Sequence, residues 1–135
     1  MTRYLAAYAA SAAVIVALDL LWLVIIAKPL YRQGIGHLMA DEPKIAIAAL
    51  FYLIYVFGLM IFAVAPYEAV TGIGKAVVAG ALFGFIAYAT YDLTNLATLK
   101  KWPVGLSLLD MAWGTFVSAT AVAAGKSVLD RFAAS

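Results

Sequence analysis

Four apolar runs, Leu5 to Ala27, Ile45 to Ala65, Ala76 to Leu99 and Val104 to Gly125, take up most of this 135-residue chain and constrain its fold more than any other feature. Each is long enough to cross roughly 30 Å of hydrocarbon at about 1.5 Å of helix rise per residue. A backbone inside a bilayer must satisfy its own hydrogen bonds, so spans of this length are helices. The expected fold class is therefore all-α, an integral membrane bundle of four transmembrane helices with both termini on the same side. Composition supports this: 67% of residues are hydrophobic and 12% charged, with a mean hydropathy of +1.02. A soluble fold this small could not bury that much apolar surface.

The breaks between runs carry helix-stopping residues. Lys28-Pro29 is expected to end the first run, Pro66 the second, and Lys100-Lys101-Trp102-Pro103 separates the third from the fourth. Asp41-Glu42-Pro43 reads as a helix start, with acids near the positive dipole end and proline at a first-turn position, so the second span begins near Lys44. The loop from Lys28 to Lys44 is the longest, and Gly34, Gly36 and His37 suggest a turn or a short surface helix there. The first run follows Arg3 and resembles a signal peptide, but it exceeds an h-region in length and reads as a retained helix. No separate domain is expected within 1–135. The terminal side carries Arg3, Lys75, Lys126 and Arg131, and the opposite side Lys28, Arg32, Lys44, Lys100 and Lys101. Four against five selects neither orientation under the positive-inside rule.

Three aspartates, Asp19, Asp92 and Asp110, lie inside the spans. Each costs about 2.5 to 3.5 kcal/mol at a helix centre, so they require partners or water. Asp19 precedes Lys28 by nine residues, Asp92 precedes Lys100 by eight, and Asp110 follows Pro103 by seven. These offsets place them roughly 13, 12 and 10 Å below one interface. Tyr52 on the second helix reaches the same level, with Tyr55 one turn deeper. The polar stripes agree: Tyr8, Ser11, Asp19 and Trp22 on the first helix; Tyr88, Asp92 and Asn95, with Tyr91 beside them, on the third; Ser107, Asp110, Gly114 and Ser118 on the fourth. Asp19-Leu-Leu-Trp22 and Asp110-Met-Ala-Trp113 each set an indole one turn beyond a carboxylate. If the stripes face inward they form one polar pocket. The expected ligand-binding or proton-exchanging set is Asp19, Trp22, Tyr52, Tyr55, Tyr88, Tyr91, Asp92, Asn95, Asp110 and Trp113. One such aspartate could be a packing contact, whereas three at one depth favour a site.

Other features narrow the function. With no cysteine, disulfides, thiolate metal sites and thiol nucleophiles are excluded. The net charge of +2 is scattered, which excludes a nucleic-acid partner. His37 reads as a solvated or interfacial residue, and Tyr31 and Trp102 as interfacial anchors beside basic residues. Ala76, Gly80, Gly84, Tyr88 and Asp92 repeat every fourth residue, and Gly80 with Gly84 forms a G-x-x-x-G expected to serve packing within the bundle. No nucleophile with its base, phosphate-cradling loop or histidine pair is present, so no catalytic residue is assigned and the cofactor and metal stay unspecified.

The string Tyr88-Ala-Thr90-Tyr91-Asp92-Leu-Thr94-Asn95-Leu-Ala-Thr98-Leu-Lys-Lys-Trp102-Pro103, followed by Asp110-Met-Ala-Trp113-Gly114, resembles an uncharacterised bacterial family of predicted membrane proteins, domain of unknown function 2177. Leu18-Asp19-Leu-Leu-Trp22-Leu and Phe51-Tyr52-Leu-Ile-Tyr55 look like its earlier signatures. The resemblance implies a multi-pass protein of the bacterial inner membrane and no particular substrate.

The leading functional expectation is a bundle in the lipid bilayer that binds or transports a cation, a proton or a small lipophilic molecule. Four short helices scarcely enclose a path, so association into a homo-oligomer would help. The alternatives are an intramembrane enzyme on a lipid-like substrate, using the aspartates as acid, base or ligands of a divalent ion, or an accessory subunit that offers Gly80, Gly84 and Gly114 to a larger complex.

Overall fold

The structure is a computed structural model and describes residues 1–134. Its elements are helices: α1 (Thr2–Leu21, continued in π geometry over Trp22–Ala27), α2 (Lys28–Ile35), α3 (Ile45–Leu59, continued in π geometry over Met60–Val64), α4 (Gly74–Thr98) and α5 (Val104–Ala134). Short 3₁₀ turns, Gly36–Leu38 and Ala65–Tyr67, follow α2 and α3. Among the described residues four helices, Thr2–Ile25, Ile45–Tyr67, Gly74–Thr98 and Val104–Phe132, are long and apolar enough to cross a membrane. The fold is an all-α membrane bundle, and an even number of crossings returns the chain to its starting side.

Lys28-Pro29 does not end the first helix. The backbone passes through the π segment and continues directly as α2, with Lys28 itself in right-handed helical geometry. Both π segments stop two residues short of a proline, Ala27 before Pro29 and Val64 before Pro66. A proline lacks the amide hydrogen of an α-turn, and its ring crowds the carbonyl four residues back. The wider π turn takes up that mismatch without breaking the helix. At the other end of the chain, α5 runs past Gly125 to Ala134. Its continuation is held by Lys126, 0% exposed, whose ammonium donates to the Val70 carbonyl at 2.9 Å and to Asp130 at 2.5 Å.

Close packing occupies the terminal half of the bundle. Ala7, Ser11 and Ile15 of α1, Val56, Leu59, Met60, Ala63 and Val64 around the end of α3, Ala76, Gly80 and Gly84 of α4, and Val117, Ala121, Val122 and Leu129 of α5 supply its buried positions. The every-fourth-residue row of α4 faces α5. A Cβ on Gly80 would meet Val122, one on Gly84 would meet the Gly114 carbonyl and the Ser118 side chain, and one on Gly114 would press on the Tyr88 ring. These glycines are thus used within the chain and are not presented to another protein. Ser11 donates to the Ala121 carbonyl at 2.7 Å, and Tyr8 to the Leu53 carbonyl at 2.7 Å. At the terminal surface Glu68 receives both Arg3 and the Tyr4 hydroxyl, which ties the loop after α3 to the start of α1.

The other half of the bundle is looser. Over residues 45–54 of α3 only Tyr52 is even half-buried. The helix meets α4 chiefly through its π-helical end, and at the level of Tyr55 and Gly58, which touch Phe83. Above that level the helices diverge around a hollow.

Candidate functional site

The hollow is a cavity of ≈ 530 Å³ to which all five helices contribute. Asp19, Trp22, Tyr52, Tyr55, Tyr88, Tyr91, Asp92, Asp110 and Trp113 line it, so nine of the ten residues expected from the sequence come together. Asn95, one turn beyond Asp92, does not line it. The periodicity accounts for most of this arrangement. Asp92 continues the row whose glycines face α5, and Asp110 and Ser107 lie on the buried face of α5 that leads to Gly114 and Ser118.

The three carboxyls are held differently. Asp19 is saturated: Tyr52 donates to Oδ2, and the Trp113 indole donates to Oδ1 at 2.8 Å, so this one acid joins α1, α3 and α5. Asp110 accepts from the Tyr31 hydroxyl at 2.7 Å. Asp92, only 2% exposed, interacts with Asp110, while its Oδ2 is buried without a hydrogen-bond partner. Two further buried polar atoms without a partner, the indole nitrogens of Trp22 and Trp102, belong to residues that line the same cavity. No other buried side-chain polar atom among the described residues is left in this state. Leaving such groups unpaired is costly, and here they are concentrated around one cavity.

Aromatic rings complete the walls. Trp22 stacks on Trp113 with centroids 4.4 Å apart and planes within 10°, which joins the two indoles set by the matching aspartate-to-tryptophan spacings on α1 and α5. Tyr55 meets Tyr88 edge-on at 6.2 Å and bonds Ser118 at 2.6 Å. Tyr91 meets Trp102 edge-on at 5.7 Å. The sixteen lining residues include three aspartates and no lysine, arginine or histidine. The acids do not form a cluster of three or more metal-ligating groups among the described residues.

Two residues expected to anchor the chain at the interface turn inward instead. Trp102 is 9% exposed, and the tight turn that carries it passes through Lys101 in the left-handed region at φ 63°. Tyr31 is brought over the cavity by α2, which packs through Gly34 on Pro103 and Leu106. A signal for this was available: Leu30, Tyr31, Gly34 and Ile35 fall on one side of a short helix whose other positions include Lys28, Arg32 and Gln33. His37 is exposed, as expected.

Burial first, and then the adjacent Asp110 carboxyl, push the Tyr31 hydroxyl above the ordinary tyrosine range. Folding therefore favours its protonated form. The contribution is fully present below about pH 10, the ordinary tyrosine value, and is lost only as pH rises through the raised one. Tyr31→Phe should accordingly release α2 at neutral pH, speeding tryptic cleavage after Arg32 by about tenfold for one hydrogen bond to a carboxylate in a half-exposed setting. The wild-type chain should hold α2 in place up to at least pH 10. Equal cleavage rates for the two proteins would show that the Tyr31 bond does not hold the helix.

Comparison with known proteins identifies one family, described as Predicted membrane protein (DUF2177), whose match spans residues 4–127. That interval includes every residue lining the cavity. No curated protein and no solved structure matches the chain.

Proposed function

This chain belongs to the DUF2177 family of predicted membrane proteins, and from that footing we propose that it binds a positively charged small molecule in the cavity between its helices, as a carrier or receptor for that molecule in the bilayer. The observation that carries this reading is the unpartnered Oδ2 of Asp92 in a cavity with three acids and no basic side chain. An acceptor in such surroundings is complemented by a donor, and a cationic donor also offsets the excess of acid. The Trp22, Trp113, Tyr88 and Tyr91 rings suit the remainder of such a molecule, because aromatic faces attract cations and pack against apolar groups. The location within the spans agrees with the general association of intramembrane ionisable residues with ligand and ion paths.

All three tryptophans of the chain line the cavity, so intrinsic fluorescence reports directly on its occupancy. Benzylammonium, which carries N–H donors, and its uncharged carbon isostere, ethylbenzene, make a discriminating pair. The cation should give a saturable change in emission at a concentration at least tenfold below that needed for the isostere, about 1.4 kcal/mol of charge recognition. Equal responses to the two would overturn cation binding and leave only an apolar cavity.

A further inference from the structure

We infer that the occupant is an amphiphile already dissolved in the bilayer, which enters sideways between α3 and α4 and carries a head with an ammonium group and an uncharged hydrogen-bond-accepting oxygen. The inference rests on the cation reading above and specifies its ligand. The route follows from where the cavity is covered. On the aqueous side α2 lies across it, with Tyr31 bonded to Asp110 at 2.7 Å and Gly34 seated on Pro103 and Leu106. Between α3 and α4 no such cover exists. Residues 45–54 of α3 are exposed except for the half-buried Tyr52, and α3 closes on α4 mainly from Tyr55 onward. Phe51 and Tyr91, which line the cavity from these two helices, are 46% and 54% exposed. A gap edged by such side chains at membrane depth opens to acyl chains rather than to water.

The head chemistry follows from the unpaired atoms. Asp92 Oδ2 requires a donor, while the Trp102 indole nitrogen, on a residue 9% exposed, requires an acceptor, and the Trp22 indole has the Tyr31 hydroxyl near it without a well-formed bond. A simple alkylamine satisfies the first and leaves the Trp102 indole unmet. A phosphate oxygen would satisfy that indole but would bring a negative charge beside Asp19, Asp92 and Asp110, with no basic side chain in the lining to balance it. A hydroxyl or carbonyl oxygen a few bonds from the ammonium meets both requirements without that repulsion.

The test uses the full-length protein in lipid nanodiscs, tryptophan emission as readout, and four probes with the same twelve-carbon chain: 2-aminododecan-1-ol, dodecylamine, dodecanol and dodecylphosphoethanolamine. The amino alcohol should bind at least fivefold more tightly than each of the others, a ratio expected for one or two neutral hydrogen bonds. Saturation should occur at a fixed mole fraction in the bilayer, whatever the aqueous volume. Trp102→Phe, which keeps a ring and removes the N–H, should narrow the preference of the amino alcohol over dodecylamine by severalfold, with emission from Trp22 and Trp113 still available. Equal binding of dodecylamine or dodecylphosphoethanolamine overturns the proposed head, and saturation that follows aqueous concentration overturns the lateral route. A response to benzylammonium with a flat amphiphile series rejects this inference alone. Loss of both responses rejects the cation reading beneath it.

Discussion

Gly84→Leu should unfold the bundle or lower its stability by about 3 kcal/mol or more. A Cβ at this position would fall against the Gly114 carbonyl and the Ser118 side chain. The carbonyl belongs to the backbone of α5 and cannot rotate aside, so relief requires the two helices to separate. Separation would also pull Tyr88 off Gly114 and disturb the Tyr55 to Ser118 bond, carrying the damage into the floor of the cavity. Gly105→Leu is the matched control, because nothing lies within 4 Å of a Cβ built there. Thermal unfolding in mild detergent should separate the two variants clearly. Equal melting temperatures would show that the approach of α4 to α5 is not needed for stability, and that the small-residue row has another use.

Asp92→Asn should weaken binding of benzylammonium by about 10- to 100-fold, equivalent to roughly 1.5 to 3 kcal/mol for a hydrogen bond to a charged group. The replacement has nearly the same shape and can still accept a bond through its amide oxygen, so melting should change little. What it removes is the ionisable carboxyl of Asp92, the one aspartate among the described residues with a buried oxygen that lacks a partner. Asp19→Asn provides the contrast. Both Asp19 oxygens are already engaged, by Tyr52 and Trp113, so its replacement should disturb stability more than binding. If Asp19→Asn abolishes the fluorescence response while Asp92→Asn preserves it, the ligand is held at the α1 acid and the assignment to Asp92 falls.

The looseness of the half that holds these acids has a physical origin. In a membrane, apolar burial gives little drive for helices to associate, because lipid tails are as apolar as leucine. Association is left to close backbone approach and to hydrogen bonds. Small residues at Ala7, Ser11, Ala63, Gly80, Gly84, Ala121 and Gly125 permit that approach in the terminal half. In the other half the facing positions carry Trp22, Tyr52, Tyr88, Trp102 and Trp113, whose rings hold the helices apart and leave the hollow between them. The bonds there run mainly from aromatic side chains to carboxyls, so the same contacts that hold this half together shape the cavity.

What could be read in the amino-acid order follows from two regularities of a membrane helix, its rise and its periodicity. Length and apolarity indicated four crossings, because continuous apolar runs of about 20 residues satisfy their own backbone in hydrocarbon as helices. Counting residues from Lys28, Lys100 and Pro103 placed Asp19, Asp92 and Asp110 at one level, and in the structure they line one cavity. The every-fourth-residue row likewise indicated the face that α4 turns to its neighbour. Tertiary structure alone decided the rest, because it depends on which side chains meet across separate segments. Pro29, read as a stop, is absorbed by a π turn, and the helix continues as α2, which lies over the cavity. Tyr31 and Trp102 consequently face the acids, although their basic neighbours suggested the interface. Asn95 falls outside the cavity because one further helical turn carries it past the wall. Which of three similar aspartates lacks a partner was decided last, since a hydrogen bond depends on a distance of a few tenths of an ångström between side chains far apart in the chain, and no periodicity encodes that.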